Sequence, residues 1–203
     1  MAIDQTGQNR LLRAAVKLTV TLVTALLWQP LLGADWQSEI QNSQLNFAAS
    51  FQNLPINGRF KQFSVKYTTD QAAQPVDLQV RVIVASADMG NTEFNTEIQA
   101  LDWFNVADHG TAVFTGQRFE IAPKNKAGIA FIAHGKLQLK GIEQPVTVPF
   151  SWRPIDHNQV SMSGELSLNR TDFAIGQGEW ATGDQIGLAV RVWFDVRMLS
   201  NHD

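Results

Sequence analysis

The chain reads as all-β, eight antiparallel strands with one short helical insert. Three observations predict this. Eight runs alternate apolar and polar residues with period two, the pattern of a strand with one dry and one wet face. Glycine-bearing turn signals punctuate the runs, as at Ala127-Gly128 and Gly183-Asp184. One segment alone, residues 92–106, has helical spacing.

The elements follow in order. Leu45, Phe47, Ala49 and Phe51 share one side of the first run, and Phe63, Val65 and Tyr67 one side of the second. Leu78, Val80, Val82 and Val84 alternate through the third. Ala112 and Phe114, then Phe119 and Ile121, mark the fourth, with Gly116 predicted as a bulge or bend. Ile129 to Leu139 alternates through the fifth, and Val146, Val148, Phe150 and Trp152 through the sixth, after a short loop at Gly141 to Pro145. Val160 to Leu168 makes the seventh and Ile186 to Val196 the eighth. In the insert, Phe94, Ile98, Leu101 and Phe104 fall on one helical stripe, which would pack on the sheet or over a barrel mouth.

Alternation fits a sandwich and a closed barrel alike. Closure is favoured because no run reads as a charge-blunted edge strand, which an open sheet would need. A barrel of eight strands is either filled by its side chains or holds one small ligand. On the inward faces Phe63, Val65, Val80, Val82, Phe114 and Phe131 are candidate lining residues. Ala133, Leu137, Val148, Phe150, Leu166, Leu188 and Val190 complete that set. The same residues serve equally as plain core; the readings differ by whether space remains between them. Small inward residues, Ala49, Ala112, Ala133, Gly135 and Gly164, either leave volume for a lipid tail or permit tight packing at a twisted corner.

The first 34 residues read as a secretory signal peptide. Arg10, Arg13 and Lys17 form a basic region, Leu18 to Leu27 is uncharged, Pro30 breaks the run, and Leu32-Gly33-Ala34 offers a small-residue cleavage site. The apolar run is shorter than the roughly 20 residues of a membrane-spanning helix. Residues 35–203 then form one exported domain, periplasmic or secreted, with no integral membrane span after cleavage. The whole chain carries −3, and losing three basic residues against Asp4 leaves the remainder more acidic. That balance, with no basic run, argues against nucleic acid. No cysteine is present, which excludes disulfides, thiolate metal sites and a thiol nucleophile.

Nothing in the chain recommends catalysis. His109, His134, His157 and His202 have no metal-ligand spacing, His134 sitting on the polar face of a strand. Gly176-Gln177-Gly178 resembles half a phosphate loop without its lysine, and chance is the better reading. Arg170 and Asp172 are the polar pair of interest: Arg170 either meets a lipid head group or, the preferred reading, holds a corner by bonding Asp172 or backbone carbonyls. Trp103 and Phe104 either gate a mouth or anchor the insert.

Several short motifs, in order, resemble the YceI family of lipid- and polyisoprenoid-binding proteins. They are Ile56-Asn57-Gly58-Arg59-Phe60, the strand end Val84 to Gly90, Leu101-Asp102-Trp103-Phe104, the stretch from Gly135-Lys136-Leu137 to Pro145-Val146-Thr147, and Asn169-Arg170-Thr171-Asp172-Phe173. The resemblance spans about Trp36 to Met198. It implies an eight-stranded antiparallel lipocalin-like barrel holding an isoprenoid or fatty chain in an apolar tunnel. No cofactor is implied; a bound isoprenoid quinone or polyprenyl lipid would be cargo. The sequence does not exclude a homodimer. Two rival readings remain: an enzyme on a lipid-like substrate, which needs a titratable pair inside the barrel, and an interaction module with a solid barrel.

Overall fold

The computed structural model describes residues 33–125 and 128–201. The predicted signal segment lies outside them but for Gly33 and Ala34, as do Ala127 and His202. Strands β1 (Asp35–Ser38), β2 (Gln44–Phe51), β3 (Leu54–Phe60), β4 (Phe63–Thr69), β5 (Pro75–Ile83) and β6 (Ala87–Asp88) precede the helix α1 (Thr92–Glu97). Strands β7 (Thr111–Asn125), β8 (Gly128–Leu139), β9 (Ile142–Pro154), β10 (Gln159–Asn169) and β11 (Ala189–Ser200) follow it.

Eight of these strands close an antiparallel ring in the order β1, β4, β5, β7, β8, β9, β10, β11 and back to β1. Each of the eight alternating runs contains a strand, although the third leaves it before Val84 and the eighth enters it only at Ala189, and the ring is closed by another one. Trp36 of β1 lies opposite Tyr67 of β4 on one side and Ser200 of β11 on the other. Strand β2 pairs with β11 further along, Phe47 opposite Val192, and leads into β3 and β6 as a flap beyond the ring. One edge of β11 thus serves two strands in succession.

Local chemistry explains several departures from expectation. The loop expected at Gly141 to Pro145 is a two-residue turn: Lys140 (φ 50°) and Gly141 (φ 75°) are both left-handed, as a type I′ hairpin requires, and β9 starts at Ile142. Gly116 is a bulge, with the β7–β8 register shifting between it and Arg118. Helix α1 is six residues, capped by the Asn91 side chain accepting from Phe94 N–H, and the rest of the insert is turns. Leu101 therefore leaves the expected stripe and is 70% exposed.

The ladder between β9 and β10 ends at Phe150 opposite Gly164. In a two-residue hairpin the flanking pair, Leu139 and Ile142, exchanges both hydrogen bonds, so residues 143, 145, 147 and 149 turn their backbone away from β8. Pro145 and Pro149 stand at these positions and have no N–H to offer a neighbour there. The two strands splay, and the corner at residues 170–176 fills the gap. Gln144 donates its side-chain amide to the Asp172 carbonyl at 3.0 Å, and Lys140 Nζ donates to the Ala174 carbonyl at 2.7 Å.

One end of the barrel is solid. Tyr67 stacks on Trp152 with centroids 4.5 Å apart and meets Phe150 edge-on at 6.0 Å, while Trp36 meets Trp152 edge-on at 5.2 Å. Phe131 lies 5.5 Å from Phe150, with Val160, Ala133 and Met198 buried beside them. The described residues hold no helix long and apolar enough to cross a membrane.

Candidate functional site

Beyond the aromatic floor the barrel is hollow. Its cavity measures about 390 Å³, within the range of small-molecule sites. Phe63, Val65, Val80, Val82, Phe114 and Leu137 line it, as do Val148, Leu166 and Val190, each as the alternation placed them. Trp103, Phe104 and Arg170 line it as well.

Four expected positions do not. Phe131, Ala133 and Phe150 point inward but lie in the floor, where aromatic packing leaves no space. Leu188 precedes β11, packs toward Gly183 and is 36% exposed, so it sits outside the barrel. The small inward residues divide likewise. Ala49 and Ala112 line the cavity. Ala133 is fully buried in the floor, a side chain at Gly135 would overlap the Thr115 carbonyl, and one at Gly164 would overlap that of Pro149. Those three permit close packing.

Some of the lining lay beyond the expected set. Leu45, Phe47, Ala49 and Phe51 enter from β2, whose alternation was legible. Ile98, at the end of α1, lies on the predicted helical stripe; Phe173, Ile175 and Trp180 come from irregular segments, where no period marks a face. Phe94 and Glu97 both line the cavity and are both exposed, so α1 marks where it meets solvent.

The insert and the corner lock together over the cavity. The Asp102 carbonyl accepts N–H bonds from Gly176 at 2.7 Å and Gln177 at 3.1 Å. Trp103 donates its indole N–H to Glu97 Oε1 at 3.0 Å and packs near Trp180, 5.9 Å between centroids. Arg170 is 3% exposed and makes no ion pair with Asp172 among the described residues; it holds the corner through carbonyls alone. Its Nε donates to Gly187 O at 3.1 Å, and its Nη1 to Ile175 O at 2.8 Å and Gly176 O at 2.9 Å. Its Nη2 donates to Ile186 O at 2.8 Å and to Trp180 O. Burial lowers the guanidinium's pKa from its ordinary value. Gly176 fits this knot rather than a phosphate: φ is +70°, and a Cβ would overlap Arg170 Nη1 and come within 3.2 Å of Trp103.

Among the described residues the lining holds two titratable side chains, Glu97 and Arg170. No group of three or more His, Asp or Glu able to hold a metal occurs among them. His134 stays on the outer face, its Nδ1 3.2 Å from Thr147 Oγ1.

A closed antiparallel barrel, solid at one end and hollow and apolar at the other, is a cavity-bearing β-barrel. The chain belongs to the YceI family: the YceI-like domain matches residues 36–198. A UPF0312 protein of Ectopseudomonas mendocina is 31% identical over 77% of this chain and 84% of its own. The crystal structure of Burkholderia cenocepacia BcnA superposes with a TM-score of 0.70 at 26% identity, covering 79% of this chain and 98% of that one. A polyisoprenoid binding domain from Saccharophagus degradans, implicated in plant cell wall breakdown, shares the fold with a TM-score of 0.64 at 15% identity, covering 81% and 98%.

Proposed function

We propose that this protein is an exported, non-enzymatic lipid-binding protein that holds an isoprenoid or similar long apolar chain in its barrel, as carrier, store or scavenger. The observation that carries this is the cavity of about 390 Å³ with a hydrocarbon and aromatic lining. Left empty and fully enclosed, such a volume would cost at most on the order of 9 kcal/mol at about 24 cal/mol per Å³. That rivals the whole stability of an ordinary domain, so an apolar occupant has much to offset. Each methylene it buries contributes about 0.8 kcal/mol. The description of the Saccharophagus domain as polyisoprenoid binding supports the same ligand class.

The two titratable lining groups support binding over catalysis. Glu97 is exposed and accepts the Trp103 indole N–H, and Arg170 is bound to carbonyls. Neither is a general acid or base with a free, buried partner. Export rests on the signal pattern of the first 34 residues. The test is binding of farnesol to the folded protein and to Val148→Trp, which fills the cavity from β9. Loss of binding with the fold retained supports the reading; equal binding by both contradicts it.

A further inference from the structure

We propose that the cavity admits lipids whose head group is uncharged or cationic and rejects phosphates and carboxylates. The inference rests on the lipid-holding reading and narrows its ligand class. Two independent features carry it: the state of the cations near the cavity, and the charge of its rim.

Arg170 is the one cation lining the cavity among the described residues. A guanidinium has five N–H donors. All five are in use, one from Nε and two from each Nη, every one on a backbone carbonyl. The Trp103 ring covers the group, 5.8 Å from centroid to Cζ. A phosphate or carboxylate could engage Arg170 only by displacing these carbonyls, and those of Ile175 and Gly176, bonded in buried surroundings, would be left unsatisfied.

No other cation replaces it. Arg59 precedes Phe60, a lining residue, on β3, so strand alternation turns it to the opposite face, and both Arg59 and Lys61 are drawn to Asp88, 3.7 and 3.6 Å away. Lys140 is outside the lining and bonded to the Ala174 carbonyl; its charge interacts with Asp102, which leaves Glu93, Glu97, Glu179 and Asp184 to set the sign of the rim.

The rim has the opposite sign. Three segments carry the lining residues nearest solvent: the β2–β3 hairpin with Phe51 and Ile56, α1 with Phe94 and Glu97, and the loop bearing Trp180 and Ile186. Residues 91–102 hold Glu93, Glu97 and Asp102, and residues 177–187 hold Glu179 and Asp184, all exposed. Neither segment has a Lys or Arg, and residues 51–57 are uncharged. An apolar cleft concentrates such a field at its opening. A phosphate monoester carries about −1.5 to −2 at pH 7 and meets it unpaired.

The test uses one tail with three heads: farnesol, farnesylamine and farnesyl phosphate. Affinities are measured at low and high salt for the intact protein and for Glu93→Lys/Glu179→Lys, neither residue lining the cavity. Farnesyl phosphate is expected to bind at least about tenfold more weakly than farnesol at low salt, with the gap narrowing as salt screens it. Farnesylamine is expected to bind at least as tightly as farnesol, and the double charge reversal to raise phosphate affinity selectively. Phosphate binding equal to or tighter than farnesol overturns the inference while leaving the lipid-holding reading intact. A gap insensitive to salt and to charge reversal overturns it too. If farnesol itself does not bind, the lipid-holding reading fails and the inference falls with it.

Discussion

Arg170 occupies the space that a side chain on Gly176 would need. The two residues are six apart, and Arg170 Nη1 donates to the carbonyl of Gly176 at 2.9 Å. The left-handed φ of Gly176 aims that carbonyl at the guanidinium and frees its N–H for Asp102. Corner and insert are thereby one unit, closing the gap that β9 and β10 leave.

Removing the guanidinium should therefore be severe. Arg170→Met strands buried carbonyls and is expected to cost about 3 kcal/mol or more. Gly176→Ala combines backbone strain with overlap on Arg170 and is expected to cost about 2 kcal/mol. Because the overlap disappears with the arginine, the double variant should cost less than the two singles together. Urea denaturation of the four proteins measures this; strict additivity would mean the two residues act independently.

Floor and cavity should respond oppositely to added volume. Ala133→Phe overpacks the fully buried floor and should lower stability by about 1–3 kcal/mol. Ala49→Phe extends a side chain into open volume, so stability should hold while farnesol affinity falls. Thermal denaturation read beside ligand titration separates the two, and a destabilised Ala49→Phe with full affinity would show the space is not there.

Occupancy should stabilise the fold by mass action. A ligand that binds only the native state adds about 2.7 kcal/mol at a concentration one hundred times its Kd. The Tm should rise steadily with farnesol, and less so in Val148→Trp. A Tm indifferent to saturating ligand would count against an internal site.

Asp88 sets a local pH dependence. The Gly90 N–H donated to its carboxylate, then the Asn95 amide, then Lys61 and Arg59 lower its pKa from 3.8. A folded pKa below the unfolded one contributes stability that is present above the unfolded value and lost as pH falls through the folded one. Asp88→Asn should thus flatten the acid limb of Tm against pH below about pH 4. An unchanged acid limb would place the dependence elsewhere.

Much of this was legible in the residues. Period two reveals the face of a strand, which is why Val80, Val82, Val148 and Leu166 fell correctly on the cavity side. It carries no information about depth along the barrel axis. Phe131, Ala133 and Phe150 share a face with the lining and belong to the floor because Tyr67, Trp36 and Trp152 fill that end. Strand β1 escaped the period-two reading because four residues are too few to display a period; only the family resemblance, which begins at Trp36, reached the residue that closes the ring. Gly176 looked like chance because its reason, Arg170, is tertiary. Pro145 and Pro149 did hold a readable signal: prolines of one parity mark where β9 lacks a neighbour.

The central claim is that the barrel holds a long apolar chain. The most direct measurement is mass spectrometry of organic extracts from protein purified out of its own cells. The account predicts near-stoichiometric isoprenoid or similar long-chain lipid with an uncharged or cationic head, and its loss from Val148→Trp. A folded protein that yields no such lipid, or as much from the filled variant as from the parent, would contradict it.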